Sequence, residues 1–384
     1  MSDTKKVVHL TTVHHPLDPR IYYKQCLSLK NAGYDVTLIA TEGQEVIKES
    51  IIKVISLKKY RNRFQRMIVS TIDAYKKARK INADFYHIHD PELLPVAWVL
   101  KKKGNIVIYD IHEDYETSIN QKEYIPKLVR KVTAKMYSFL EKALSTKFEL
   151  CLAEKYYQEK YPKGVCILNY PLLNEKLINH QPVTNPVESK VIYTGNITVD
   201  RGALIHAKLP LIHEDLSVEM IGKCPQQLAN KMFEIVEDKK NHISIEGIGH
   251  FVPKDVIEEK YVNTRWLAGI ALFPPTEHYM KKELTKFFEY MSAGIPILCS
   301  DFPIWKGFVE KYNCGIAVNP NDKEEIKDAI QYLLENENEA LQMGNNGKEA
   351  VVMTLNWKIE EAKLITWYEE LGKELDLKLL TSSG

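Results

Sequence analysis

The stretch Ala268-Gly-Ile-Ala-Leu-Phe273-Pro-Pro-Thr-Glu277-His278-Tyr-Met-Lys-Lys-Glu-Leu-Thr285-Lys286-Phe-Phe-Glu289-Tyr-Met-Ser-Ala-Gly294-Ile-Pro296-Ile-Leu-Cys299 decides how the rest of the chain is read. A short apolar run ends at two prolines, a polar loop follows, and a helix is predicted from Thr285 to Ala293. Gly294 suits the C-terminal cap, and Pro296 opens a second apolar run through Cys299. Strand, helix and strand in this order form a βαβ unit, which implies a parallel sheet. Lys286 and Glu289 are three residues apart and share one helical face near the positive N-terminus. A lysine there would meet a diphosphate, and a glutamate one turn deeper would accept hydrogen bonds from ribose hydroxyls. The plainer alternative is an i,i+3 ion pair worth a few tenths of a kcal/mol.

The same alternation extends in both directions. Upstream, strands are predicted at 7–10, 36–40, 51–55, 84–89 and 106–110, with helices at 22–31, 64–80 and 92–103 between them. It restarts with strands at 191–194, 217–221, 243–246, 268–273, 296–299 and 315–318, and helices at 324–335 and 357–375 end the chain. Pro182 and Pro186 disfavour regular structure between the halves. The predicted organisation is α/β, with two doubly wound domains: 1–170, a linker at 171–190, and 191–355, followed by a final helical piece at 356–384. Ligands of open parallel sheets sit beyond the carboxyl ends of the strands, so the residues just after each strand carry the chemistry. No internal sequence repeat is evident.

The 384 residues suit two or three domains. A hydrophobic share of 45% and a charged share of 27% exclude a collagen-like, disordered or disulfide-framework chain. The net charge of +1 conceals an imbalance. Residues 1–170 hold 29 Lys+Arg against 19 Asp+Glu, a net +10, whereas residues 171–384 hold 23 against 32, a net −9. Six scattered cysteines with no CxxC pair read as buried thiols in a reducing compartment. No apolar run approaches the ~18 residues of a membrane span, so the expected address is the cytoplasm.

Three His/acid clusters follow first-half strands: His14-His15-Pro-Leu-Asp18-Pro-Arg20, His87-Ile-His89-Asp90-Pro-Glu92 and Asp110-Ile-His112-Glu113-Asp114. One histidine at a strand end is usually structural, but three clusters at equivalent positions of one sheet point to a site. His-x-His-Asp resembles a metal-ligand run, yet it lacks the second Asp-His pair of a metallo-hydrolase, and no HExxH occurs. No metal is therefore expected. In the second half, Thr194-Gly195-Asn196 ends a strand and Asp200-Arg201-Gly202 follows. Gly195 permits close backbone approach, and Arg201 suits a phosphate. Neither a GxxxxGK[ST] loop nor a GxGxxG is present.

The segment from Lys286 through Gly294 resembles the nucleotide-sugar signature of GT-B glycosyltransferases, specifically the retaining family 4. His89-Asp90-Pro91-Glu92, Asp110-Ile-His112-Glu113, Asn169-Tyr-Pro171 and Tyr193-Thr-Gly195 are similar to that family's pattern in order along the chain. The resemblance implies two Rossmann-like domains facing each other across a cleft, and a final helix crossing back to the first domain. By the same resemblance a nucleoside-diphosphate sugar is held mainly by the second domain and a saccharide or lipid-linked acceptor by the first. Glu289 then matches the ribose ligand, Lys286 lies beside the donor phosphates, Arg201 is a phosphate ligand, and His112 contacts the donor sugar. Gly195, Asn196 and His278 complete the donor set. Asp110 and Glu113 stand beside His112 in the catalytic set, and His14, Asp18, Arg20, His89 and Asp90 form the acceptor side. Lys281 stands where the family has the first glutamate of its paired motif, and Asn196 where it often has a basic residue.

The implied activity is a metal-independent, retaining transfer with no cofactor beyond the donor, set in cell-surface polysaccharide or glycolipid synthesis. The alternatives are a sugar-nucleotide epimerase or hydrolase on the same fold, and a catalytically inactive binding subunit. The basic segments 58–80 and 127–135 suit reversible association with an anionic membrane. Nucleic acid is not expected as a partner, because no RNP, helix-turn-helix or zinc-finger pattern accompanies the charge.

Overall fold

A computed structural model describes residues 4–41, 50–60, 62–120, 126–180 and 188–382. The chain forms two compact units, one of Met1–Asn169 with Trp357–Gly384 and one of Tyr170–Asn356. Residues 181–187 of the expected linker lie outside the described residues, as does Arg61 of the first basic segment.

The sheet of the first unit contains β1 (Lys6–Leu10), β2 (Asp35–Thr41), β3 (Lys53–Leu57), β4 (Phe85–Ile88), β5 (Ile106–Ile111), β6 (Glu149–Leu152) and β7 (Val165–Cys166). Their order is β3-β2-β1-β4-β5-β6-β7, and every pairing is parallel. Helices cover both faces, which is why these strands read as nearly continuous apolar runs. One face packs against the Thr71–Ile81 and Leu94–Leu100 helices and the end of Lys127–Ser145. The other packs against Pro19–Cys26, Leu27–Asn31 and Trp357–Ser382. The last of these is anchored deeply. Trp357 donates to the Ser28 hydroxyl at 3.0 Å, Glu360 accepts from the Leu168 amide at 2.8 Å, and the Tyr368 hydroxyl meets His87 Nδ1 at 2.7 Å.

The second unit repeats the topology with β8 (Lys190–Thr194), β9 (Ser217–Cys224), β10 (Ile243–Ile248), β11 (Ala268–Ala271), β12 (Ile297–Ser300) and β13 (Gly315–Val318) in the order β10-β9-β8-β11-β12-β13. In both sheets the strand order reverses at a switch point, between β1 and β4 and between β8 and β11, where a doubly wound fold binds ligands. The helix after β11 spans Thr285–Ser292, one residue short of the expected end, and Gly294 takes the left-handed conformation (φ 70°) that its capping place requires.

Several sequence expectations shift. The helix expected at 22–31 starts earlier, at Pro19, as eight residues of π-helix. Asp18 caps it, accepting from the Arg20 and Ile21 amides, and Pro19 fills the first position where no donor is needed. β6 and β7 were not expected, because four and two residues leave too little periodicity to read. Among the described residues all six cysteines are free thiols, and no helix is long and apolar enough to cross a membrane. The return of Trp357–Gly384, with four Lys against six Asp+Glu, moves the charges to +8 for the first unit and −7 for the second.

Candidate active site

In the first unit, the loop after β1, the π-helix, the end of β4 and the end of β5 bring their polar side chains onto Asp110. Arg20 grips this buried carboxylate through Nε at 2.9 Å and Nη2 at 2.7 Å, Gln25 adds a bond at 3.1 Å, and His89 Nδ1 lies at 3.0 Å. Arg20 and Gln25 are five apart, the repeat of the i→i+5 winding, so the π-helix places both on one carboxylate. Burial alone would raise the Asp110 pKa, but the Arg20 charge and these hydrogen bonds hold it well below the usual carboxylate range.

An ionised Asp110 only accepts, so His89 must carry its proton on Nδ1. Its Nε2 then accepts from His9 Nδ1 at 2.9 Å. The rings of His9, His87 and His89 stack at centroid spacings of 4.7 to 5.2 Å. Burial lowers the pKa of all three, to about 3 for His89, so the stack is neutral at physiological pH.

Above this layer stand His14, Asp18 and His112, half-buried, and Glu113, exposed. His14 Nε2 and His112 Nε2 are 3.0 Å apart, and His112 Nδ1 lies 3.2 Å from the Asp110 carbonyl oxygen. His14 also faces Asp18 and Asp90, each at 3.4 Å. Burial pulls the His14 pKa down, but the Asp18 hydrogen bond and the charges of Asp90 and Asp18 outweigh it and raise the value to about 9. His14 is therefore an imidazolium that donates to His112 Nε2, while Asp18 is drawn down to about 2 by the same partnership against its own burial. Asp90 accepts from the Thr11 hydroxyl at 2.9 Å and the Thr12 amide at 2.6 Å, which pins the loop after β1 to the end of β4.

Of the expected acceptor set, Arg20, His89 and Asp90 are buried and engaged below the surface, as is Asp110 of the expected catalytic set, whereas His14 and Asp18 are half-buried. Among the described residues, two trios bring one donor atom each within 4.8 Å of one another, His14/His112/Glu113 and His87/His89/Asp110. In the buried trio, the Arg20 guanidinium already supplies the positive charge to Asp110. The open trio has the imidazole and carboxylate donors that divalent transition ions favour.

In the second unit, β8 delivers Thr194 and Gly195 to the switch point. Gly195 has φ 97°, and its amide donates to the Ile221 carbonyl at 2.7 Å. On the next strand Gly222 (φ 143°) lies so close that a Cβ there would overlap the Gly195 carbonyl oxygen. Lys286 reaches across from the first turn of the Thr285–Ser292 helix. Its buried ammonium donates to the Thr194 carbonyl and to the Thr194 hydroxyl, the latter at 3.0 Å, and sits 4.8 Å over the Tyr193 ring. Burial lowers its pKa to about 8, with Glu289 opposing and Arg201 adding to the fall. Glu289 accepts from the Tyr261 hydroxyl at 3.0 Å, and Tyr261 meets the Thr194 hydroxyl at 2.5 Å. The simple ion pair between Lys286 and Glu289 is thus not formed.

Arg201 donates through Nε to the Tyr279 hydroxyl at 3.0 Å, and the His278 ring stands edge-on to Tyr279. Asn196 is exposed, and its carbonyl accepts from the Tyr193 hydroxyl. Lys281 follows the short Glu277–Met280 helix and is exposed. Sequence reasoning gave no role to Gly222, Tyr261 or Tyr279, and read Thr194 only as the end of a strand. A glycine at the carboxyl end of a strand was a usable signal for Gly222, whereas Tyr261 lies in a stretch with no motif.

Residues 285–350 match the family model "Glycosyl transferases group 1". The whole chain is similar to sucrose-phosphate synthase from Thermosynechococcus elongatus, at a TM-score of 0.72 and 17% identity, covering 96% of this chain and 100% of that one. It is also similar to HepE from Anabaena, solved in complex with UDP, at 0.70 and 10% over 95% and 100% of the two chains. WaaG, a glycosyltransferase involved in lipopolysaccharide biosynthesis, compares at 0.64 and 12% over 93% and 98%. No curated protein matches the chain by sequence. The chain thus has the GT-B glycosyltransferase fold, and the segment that carries Lys286 and Glu289 is the one that matches glycosyl transferases group 1.

Proposed function

We propose that the protein is a retaining glycosyltransferase that moves a sugar from a nucleoside-diphosphate sugar, carrying uridine or guanosine, to a saccharide or lipid-linked saccharide acceptor in cell-surface polysaccharide or glycolipid synthesis. The observation that carries this reading is the Lys286 ammonium held at the end of β8 beside the open backbone of Gly195, with Glu289 oriented by Tyr261. A leaving diphosphate gains negative charge as the sugar departs, and fixed cations stabilise that change without reorganising. Lys286 and Arg201 supply the charge, and Glu289 accepts from the ribose hydroxyls. A uridine donor is further supported by HepE, which was solved with UDP and with UDP-glucose.

In a retaining transfer the acceptor hydroxyl attacks from the leaving-group face, and the departing diphosphate takes its proton. No paired-carboxylate base is then needed. His112, with its Nδ1 side turned to the Asp110 carbonyl and its Nε2 toward the His14 imidazolium, contacts the donor sugar, and Glu113 and Asp18 border it.

A melting screen against UDP, GDP and ADP tests the donor site, because a ligand at ~100 times its dissociation constant adds about 2.7 kcal/mol. Product analysis with a donor panel then separates the classes. Acceptor modification is expected. An epimerised or hydrolysed donor with no modified acceptor would assign the epimerase or hydrolase alternative, and the absence of any nucleotide shift would leave a binding subunit without a donor.

A further inference from the structure

The second unit has a cavity at the end of its sheet opposite the switch point. It opens at the amino ends of β11 and β12, where Leu267 and Pro296 precede the strands, and it holds ≈ 690 Å³ of space, mouth included. Its lining includes the buried residues Tyr261, Trp266, Ile295 and Ala340. An apolar concavity with a few polar groups at its rim is the form of a small-molecule site.

What stays open on that rim is chiefly hydrogen-bond donors. Two helices end here, Lys254–Asn263 and Thr285–Ser292, but carbonyls of both are already taken. The Trp266 indole donates to the Lys260 carbonyl at 2.9 Å, and the Gly294 and Ile295 amides return to the Met291 and Tyr290 carbonyls at 3.0 and 2.9 Å. Glu337, the one carboxylate among the described lining residues, is engaged by Arg265 at 2.6 Å. Lys348 is half-buried and donates to the His180 carbonyl at 3.3 Å. Burial lowers its pKa, and no carboxylate among the described residues pairs with it. The Thr264 hydroxyl and the Asn345 side-chain amide have no hydrogen-bond partner among the same residues.

Two walls of the cavity continue into the donor site. Tyr261 lines the cavity, and its hydroxyl meets Thr194 at 2.5 Å and Glu289 at 3.0 Å. Gly294 follows the helix that carries Lys286 and Glu289, and Gly344 of the Glu337–Met353 helix approaches so closely that a Cβ there would overlap the Gly294 carbonyl oxygen.

We infer that this cavity is an effector site for a small organic anion, a carboxylate on an apolar body, whose binding tightens the hold on the nucleotide. The charge selects the ligand. A carboxylate accepts from Lys348, Thr264 and Asn345 while its apolar part covers Tyr261 and Trp266. A neutral ligand would leave the Lys348 ammonium uncompensated, and a polyanion would bring more charge than the rim can match. A filled cavity braces Tyr261, so the nucleotide has less left to order at Glu289. Binding stands apart from the sugar-transfer reading, whereas the coupling rests on it, since Glu289 is there the ribose ligand.

Titration of the full chain with 4-fluorobenzoate, followed by the fluorine resonance of the probe, tests binding. Saturation with a dissociation constant of about 1 mM or below is expected. The uncharged 4-fluorobenzamide and the ringless trifluoroacetate should each bind about tenfold more weakly or worse. Lys348→Gln should weaken the probe about tenfold while keeping the melting temperature and the UDP affinity of the free protein. The exposed Asn345→Asp should act alike, by setting a like charge against the carboxylate. With the probe at saturation, UDP affinity measured by calorimetry should rise about fivefold, and UDP should raise probe affinity by the same factor. Tyr261→Phe should keep probe binding and lose this coupling. No saturable binding, or binding that both Lys348→Gln and Asn345→Asp leave intact, would overturn the site. A UDP affinity indifferent to saturating probe would overturn the effector role. A chain that binds the probe through Lys348 but binds no nucleotide would uphold the site, while contradicting the donor reading and the effector role together.

Discussion

Lys286 and Glu289, one turn apart on the same helix, are joined by two hydroxyls that neither of them owns. The Lys286 ammonium donates to Thr194 Oγ1, Thr194 donates to the Tyr261 oxygen, and Tyr261 gives its proton to Glu289. The direction is fixed at both ends, because an ammonium only donates and a carboxylate only accepts. Burial and Glu289 hold the Tyr261 phenol protonated, so the chain persists over the physiological range.

Lys286→Met should abolish the nucleotide-induced melting shift while raising the stability of the free protein at neutral pH. The sign follows from its pKa, lowered from 10.5 to about 8. Below about 8 the folded state carries a charge that burial disfavours, and between about 8 and 10.5 the unfolded state binds more protons, so the wild type gains stability as pH rises. The gap between the free proteins should therefore narrow from pH 7 to pH 10. The wild-type nucleotide shift should shrink over the same range as the ammonium is lost. Urea melts and a thermal shift series check both, and a full nucleotide shift in Lys286→Met would move the donor site elsewhere.

His14 should make the protein's stability fall on the alkaline side. Its folded pKa of about 9 lies above the unfolded 6.5. The contribution is complete below about 6.5 and is lost as pH rises through about 9. Its size is on the order of 2–3 kcal/mol, since one pKa unit corresponds to about 1.4 kcal/mol. His14→Gln should thus be destabilised at pH 6 and nearly equal to the wild type above pH 9. Parallel profiles for the two proteins would show that His14 is not held as an imidazolium.

Arg20→Met leaves the buried Asp110 carboxylate without its guanidinium, and the expected cost is about 3–5 kcal/mol. Arg20→Lys should rescue little, since a single ammonium cannot reproduce the two-point grip through Nε and Nη2. A denaturant midpoint within ~0.5 kcal/mol of the wild type would be incompatible with the ion pair.

Gly222→Ala should lose both stability and nucleotide binding, because the added methyl would strike the Gly195 carbonyl and φ 143° strains any other residue. The strain alone is about 1–3 kcal/mol. Gly307→Ala, in the middle of a helix with open space around it, is the matched control and should be neutral or stabilising. If both variants behave alike in melting and in UDP binding, the close strand approach is irrelevant to the site.

Turnover, once a donor is known, should survive EDTA. Loss of activity on chelation, restored by manganese and removed by Glu113→Gln, would instead place a metal on His14, His112 and Glu113.

The parallel architecture was legible because strands covered on both faces appear as unbroken apolar runs such as Val36–Ala40 and Val191–Thr194. Gly195 was noted because it stands just beyond a strand that ends at the switch point, and Lys286 because it opens a helix; the structure sets the Lys286 ammonium beside Gly195. The layering of the histidine site was not legible. A polar residue after a strand looks the same in sequence whether it stays half-buried, as His14 and His112 do, or is fully buried beneath them, as Arg20, His89 and Asp90 are. Nor could the pattern give the π-helix, since Pro19–Cys26 is amphipathic in either winding and the demand of Asp110 for two partners selects between them. Tyr261 and Tyr279 escaped notice because their partners, Thr194 and Glu289 for the one and Asp200 and Arg201 for the other, are distant in sequence.

The Trp357–Ser382 helix has a consequence for synthesis. It seals one face of the first unit with Leu364, Tyr368, Leu371 and Leu375, yet it leaves the ribosome only after the whole of the second unit. The second unit, contiguous from Tyr170 to Asn356, can close while the chain is still growing. The unit that precedes it must wait, with an uncovered apolar face, for a segment made after its neighbour. A stop codon anywhere in this helix would therefore damage the first unit while sparing the second.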